Sequence, residues 1–432
     1  MIKRGLITVI AAAAFGLVGT APALAAQPYP LNYKTFGLSS SSATGTVLSN
    51  GSLTLGGTLS GPFAYADPFT NYSGDGVDGS GSYEYGTWTS GVTNLFPFNE
   101  LVSSWNAKTP AGTWIQVEVQ PQIDGKGWAK WYILGRWSSD DGSFHRTSVG
   151  GQGDANGFVS IDTFFAKDHP AVAYRLRVTL FRKLGTTASP SVSRLSAIAM
   201  NLTNLKMTFP SSTGITSQVD LGLPQHSQEI HHGDFPQYDN GGEAWCSPTS
   251  TSMVVDYWSQ RTGTNYSPTP AEYSWVTAAL GANHTDPQVD YTAREVYDYH
   301  YNGAGNWPFN AAYAASRGLV ADVTALHNLR EAEPFVRAGI PLVASVAWES
   351  NKLDGAIKST NGHLLVIGGF TANGDVIAYD PASVDDAAVR HVYDRAQFER
   401  AWIPASGGIV YLIRPAGYRT ALVDALLTAN NS

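Results

Sequence analysis

The apolar residues of this 432-residue chain keep two different rhythms, and the change from one to the other limits the folds open to it. From about Gln27 to Leu205 they recur at every second position. In Trp114–Gln120, WIQVEVQ, Ile115, Val117 and Val119 share one face while Gln116, Glu118 and Gln120 take the other. In VAYRLRVTLF, Val172, Tyr174, Leu176, Val178 and Leu180 alternate with Arg175, Arg177 and Thr179. A period of two places one set on a buried face and the other on a wet one, which is the pattern of an antiparallel sheet solvated on one side. Asp124-Gly125 and Asp141-Gly142 supply turn chemistry between such strands. The expectation for residues 27–207 is an all-β sandwich, and 44 Gly, 12 Trp and 21 Tyr fit a fold of strands and tight turns.

Alternation stops in TFPSSTGITSQVD, and residues 208–222 read as a linker. Beyond it, apolar residues fall at three- and four-residue steps: Met253, Val254, Tyr257 and Trp258, with Gly263 as a stop. AYAASRG (Ala312–Gly318) and LREAEPFVRAG (Leu329–Gly339) read as further short helices. The strand-like runs PLVASVAW, HLLVIGGF, DVIAYD and GIVYLI follow. Helices first and an antiparallel sheet afterwards predict an α+β domain over residues 223–418, able to fold alone, with residues 419–432 as a C-terminal tail.

The first 25 residues have a signal-peptide layout: Lys3 and Arg4, an apolar run from Leu6 to Val18, and the exit Ala23-Leu24-Ala25. Cleavage after Ala25 or Ala26 and a secreted or cell-envelope location are expected. No later run reaches the ~20 apolar residues that a membrane span needs. The formal charge of −8 becomes −10 once Lys3 and Arg4 are removed, and no basic block appears, which argues against a nucleic-acid partner.

Export gives weight to the one cysteine, Cys246, because an oxidising compartment favours paired thiols. Ser247-Pro248-Thr249 after it mark a helix start. A thiol there meets unpaired amides and the positive end of the helix dipole, which favour the thiolate nucleophile. A cysteine nucleophile needs a base and a group to orient that base. His363 opens the apolar strand NGHLLVIGGF, and the next strand, DVIAYDPAS, ends in Asp380-Pro381. Paired antiparallel, these strands bring His363 and Asp380 to one end of the sheet. A two-residue turn at Asn373-Gly374 would set Asp380 opposite Ile367, so a longer or bulged turn is required.

Other motifs read as structural. Asp75 and Asp78, in the Gly/Ser-rich segment Asn71–Gly86, lack the ordered acidic spacing of a calcium loop and read as a mobile surface loop. His226, His231 and His232 match no zinc spacing and read as exposed loop histidines, so no metal or other cofactor is expected. Trp307 and Phe309, at a probable helix start, fit a cleft or the core equally well.

A helix-starting Cys, then Gly-His before an apolar strand, then a strand ending in Asp-Pro resembles the bacteriocin-processing double-glycine cysteine peptidases, specifically their stand-alone papain-fold relatives. The resemblance runs from about Leu223 to Pro415. It implies a papain-like fold and a Cys-His-Asp triad with Cys246 as nucleophile, His363 as general base and Asp380 orienting the imidazole. It also implies an upstream glutamine whose amide stabilises the oxyanion. Gln228, in LPQHSQ, fits the family's Val-Pro-x-x-x-Gln opening, while Gln237 lies nearer the thiol outside that pattern. One departure is Ser247, where the family commonly has glycine. The function implied is a secreted cysteine peptidase acting on peptide or related amide bonds of a peptide or protein substrate, cell-wall peptides included. The alternatives are a cell-wall amidase or acyltransferase with the same thiol chemistry, and an inactive module that only binds peptides or wall fragments.

Overall fold

The computed structural model describes residues 28–39 and 43–431, so the segment read as a signal peptide lies outside the described residues. The described residues of the first half form two antiparallel sheets, of seven and eight strands. The first is centred on β1 (Glu100–Lys108), the second on β2 (Thr113–Ile123) and β3 (Ala171–Lys183), and β4 (Ser191–Met200) pairs β1. Ile115, Val117 and Val119 of β2, Leu176, Val178 and Leu180 of β3, and Leu101 and Trp105 of β1 fill one common core. The alternation slips at Val172. A bulge between Ala171 and Ala173 turns both alanines inward and leaves Val172 half-exposed.

The second half is α+β. Helix α1 (Cys246–Thr262) ends at Gly263, whose φ of 72° lets its N–H close on the Ser259 carbonyl. After the short helix Ser274–Leu280 come α2 (Pro287–Val296), α3 (Trp307–Ser316), β5 (Leu319–Ala325), α4 (Leu329–Arg337), β6 (Leu342–Trp348), β7 (Thr360–Phe370), β8 (Val376–Tyr379), β9 (Arg390–Tyr393), α5 (Arg395–Ser406) and β10 (Ile409–Pro415). The strands order as β5-β10-β6-β7-β8-β9. Pro334 sits inside α4, whose start is capped by the Asn328 side chain accepting from Glu331 N–H. Among the described residues no helix is long and apolar enough to cross a membrane.

The halves are not joined by a free linker. Within residues 208–222, Ser211 donates to the Glu399 carboxylate, Thr213 and Gly214 donate to Glu333, and Val219–Asp220 adds a short strand to β7. Two buried carboxylates therefore strap the segment down. The sheet carrying β1 also uses both of its faces. Leu101, Trp105 and Ala107 point into the sandwich core, whereas Val102, with Ile198 and Met200 of β4, joins the core of the second half. Between them, the Asn106 side chain donates to the Ala321 carbonyl at 2.6 Å and accepts from its N–H at 3.3 Å, and Ser104 Oγ accepts from Val323 N–H at 3.0 Å. The outer edge of β5 is thus satisfied by side chains of the β half. Arg194 and Ser196 add an ion pair and a hydrogen bond to the buried Asp322. Residues 420–430 form a helix that buries Val423 and Leu427, and Asn431 bonds both backbone groups of Tyr33.

Candidate active site

Cys246 is the first residue of α1 and is half-buried. No side chain caps this helix, and Pro248 removes one amide, so the N-terminal end of the dipole is left for the thiol. The departure at Ser247 has a physical role: its buried hydroxyl meets the Tyr411 hydroxyl of β10 at 2.9 Å and ties the helix start to the sheet. Ser250 donates to the Leu364 carbonyl of β7, which fixes the helix over the strand that carries His363.

His363 and Asp380 are brought together by two local devices. Phe370 pairs Val376, so five residues make the turn. A bulge then passes Gly368, and Tyr379 ends opposite Val366. A Cβ at Gly368 would lie 2.5 Å from the Tyr379 ring, so glycine permits this bulge. His363 Nε2 and Asp380 Oδ1 are 2.7 Å apart, both side chains buried. Asp380 also accepts from Ala382 N–H at 3.0 Å and, through Oδ2, from the Tyr393 hydroxyl at 2.7 Å. Burial pushes the His363 imidazolium down, but the Asp380 charge, its hydrogen bond and the nearby Cys246 outweigh it and hold the group up at about 10. For Asp380, burial raises the pKa, and the His363 charge and the Tyr393 hydroxyl more than reverse this, so it stays below the usual carboxylate range.

Cys246, His363 and Gln228 line one cavity of about 480 Å³. A larger one, about 970 Å³, shares Ala347, Thr360, Asn361 and Ala405 with it and continues the cleft. Gln237 is not among the lining residues. The Gln228 amide donates to the Glu243 carbonyl at 2.7 Å and to Glu229 Oε1 at 3.1 Å, while its buried Oε1 has no partner. Trp307 lines the cavity, and Phe309 is packed in the core against Trp105 and Trp137.

Part of the wall comes from the β half. The hairpin of Gly157–Ser160 and Thr163–Ala166 sends its two-residue turn, Ile161-Asp162, into the cleft. Ile161 has φ of 56°, a left-handed conformation that costs a β-branched residue roughly 1–3 kcal/mol. Asp162 accepts from Trp307 N–H at 2.8 Å, and burial holds its carboxyl up at about 7. No local pattern points to these residues, because their partners lie far away in sequence. Tyr393 had a weak signal, as the end of the strand after Asp380-Pro381.

Two readings of the sequence are corrected. His226 and His231 are buried, and only His232 is exposed. His226 lies between Asp286 and Asp256, at 2.8 and 2.9 Å, and His231 sits with Asp234, His284 and Asp290, none of which lines the cleft. The Asn71–Gly86 segment is pinned rather than mobile. His145 is held by Asp67 and Asp75 at 2.7 and 3.1 Å, and the Tyr72 hydroxyl meets that of Tyr297 at 2.8 Å.

Residues 222–410 match the family model described as Peptidase_C39 like family, which makes this a cysteine-peptidase-like protein. Residues 32–200 match the model described as Peptidase C39 N-terminal domain, and together the two matches place the chain in the C39-like peptidase family. No curated protein matches it. A solved structure with similarity is the enzymatically active domain of bacteriophage CBA120 tailspike protein 4. It is 11% identical over 39% of this chain and 19% of that one, with a TM-score of 0.16. At that score it carries no argument.

Proposed function

We propose that the chain is an exported cysteine peptidase of papain-like fold. Cys246 attacks the carbonyl of a peptide bond, His363 moves the proton to the leaving amine, and Asp380 orients and charge-stabilises the imidazolium. The observation that carries the reading is His363, bonded to the buried Asp380 at 2.7 Å and lining the same cavity as Cys246. The long cleft formed by the two joined cavities suits an extended peptide rather than a compact ligand. Gln228 and the Cys246 N–H are assigned to the oxyanion.

One observation favours a second reading, an inactive peptide-binding module: both amide hydrogens of Gln228 are committed to Glu229 and Glu243. In an active enzyme one of these bonds opens when substrate enters. Labelling with an activity-based thiol probe, followed by a peptide-library cleavage screen, separates the two. Activity is expected to vanish in Cys246→Ser and to fall about 100-fold in kcat, with little change in KM, in Gln228→Ala. Peptide binding without any cleavage would leave the inactive module as the reading. If Gln237→Ala shows the kcat loss instead, the oxyanion assignment is wrong.

A further inference from the structure

We propose that His231, Asp234, His284 and Asp290 form a structural site for a tetrahedral divalent cation of the zinc class. The four residues each offer one donor atom, all within 4.8 Å of one another. His231 and Asp290 are fully buried. His231 Nδ1 lies 3.1 Å from Asp290 Oδ2 and 3.5 Å from Asp234 Oδ2, and His284 Nε2 lies 2.9 and 3.5 Å from the same two oxygens. Ligands at zinc bond lengths of about 2.0–2.1 Å on a tetrahedron are about 3.3 Å apart, so the four measured edges scatter around the required value.

Hydrogen bonding does not account for the cluster. His226 and His145 show how this chain holds a protonated histidine, each ring nitrogen bonded to its own carboxylate at 2.7–3.1 Å. His231 differs: although buried among carboxylates, neither of its nitrogens makes an aligned hydrogen bond among the described residues, and Asp234 Oδ2 and Asp290 Oδ1 are likewise unsatisfied there. Within the cluster the one hydrogen bond is His284 to Asp290. Donors that converge without aligning to each other share a centre. A dication there neutralises two carboxylates and accepts the lone pairs of two neutral imidazoles, which removes the cost of unpaired buried polar atoms. Two nitrogens and two oxygens at tetrahedral spacing suit zinc. Calcium and magnesium take oxygen ligands in larger number.

Four protein ligands leave no open position, which is the arrangement of a structural site rather than a catalytic one. The ion would tie the short turn Glu229–His231, directly after Gln228, to α2, which supplies Asp290. The His231 ring also lies 6.1 Å from that of Trp245, the residue before Cys246. The inference does not depend on peptidase activity, because its readout is metal content.

The test uses the full chain, stripped with EDTA, reloaded with Zn2+ and freed of excess by gel filtration, with metal measured by mass spectrometry. About one equivalent is expected, together with a rise in Tm, and Co2+ in its place should give the intense visible bands of a tetrahedral ion. His284→Ala, at the partly exposed side of the cluster, should lose the metal while staying folded by circular dichroism, and Cys246→Ser should keep it. Binding below about 0.1 equivalent by the wild-type protein overturns the proposal. So does an equivalent that survives His284→Ala, or one that Cys246→Ser abolishes, since the latter places the ion at the thiol.

Discussion

Replacing Asp380 by asparagine removes a charge from beside His363 while keeping an acceptor for the imidazole and for Ala382 N–H. With the carboxylate present the imidazolium is held up at about 10, against a burial that pushes it down. Without it, burial is left largely unopposed and the group falls to its ordinary ~6.5 or lower. At about pH 7.5 the protonated fraction of His363 then drops from nearly all to about one-tenth, and the positive charge beside Cys246 drops with it about tenfold. The assay is the rate of Cys246 alkylation by iodoacetamide from about pH 5 to pH 9, read by the mass of its peptide. At mildly acidic pH the wild-type protein should label faster than Asp380→Asn, because the His363 charge beside the thiol is lost in the variant. His363→Ala should behave likewise. Stability supplies a second readout. A histidine whose folded pKa is raised contributes stability that is complete below ~6.5 and is lost as pH rises through about 10. Breaking the buried pair should therefore cost about 3 kcal/mol near pH 6, and the gap between variant and wild type should close above pH 10. The reasoning fails if Asp380→Asn reproduces the wild-type alkylation profile while folded, or if wild-type Cys246 labels only in denaturant.

Asn106→Ala leaves both backbone groups of Ala321 without partners at a buried edge, and should lower stability by about 2–4 kcal/mol in urea titration, with both halves still unfolding in one transition. Two separated transitions would show that the halves are independent. Asp162→Asn should raise Tm at about pH 8 and leave it unchanged near pH 4. A carboxyl held at about 7 by burial binds its proton more tightly in the folded state, so the wild-type protein loses stability as pH rises from ~3.9 toward 7. An equal change at both pH values would mean that Asp162 is not the group responsible.

The sequence made the local features legible. Period-two runs marked β2 and β3, the Ser-Pro-Thr after Cys246 marked the start of α1, and Gly263 marked its end. The demand for a bulged or lengthened turn between His363 and Asp380 followed from counting residues, although Gly368 as the site of the bulge did not. What stayed hidden was set by partners distant in the chain. His226 and His231 looked like loop residues because Asp256, Asp286 and Asp290 come from segments tens of residues away. Ile161 and Asp162 lie in a hairpin of ordinary composition, and only the packing of the two halves turns them toward the cleft. Residues 208–222 have the composition of a linker, yet Glu333 and Glu399 anchor them.

The side chains that cover the edge of β5 are synthesised some 200 residues before the strand they cover; Asn106 and Ala321 are 215 positions apart. Ribosomal synthesis therefore presents the β half first, with Ser104, Asn106 and Arg194 displayed on a surface that has no partner until residues 319–325 emerge. That surface acts as a template. The long loop closure makes its completion a slow, late step in folding. A fragment beginning near residue 223 would lack the template, show the bare edge of β5 to solvent, and find the missing hydrogen bonds in another copy of itself. On this view the first half acts as a chaperone that never leaves its client, and truncation is expected to give aggregates rather than a smaller folded protein.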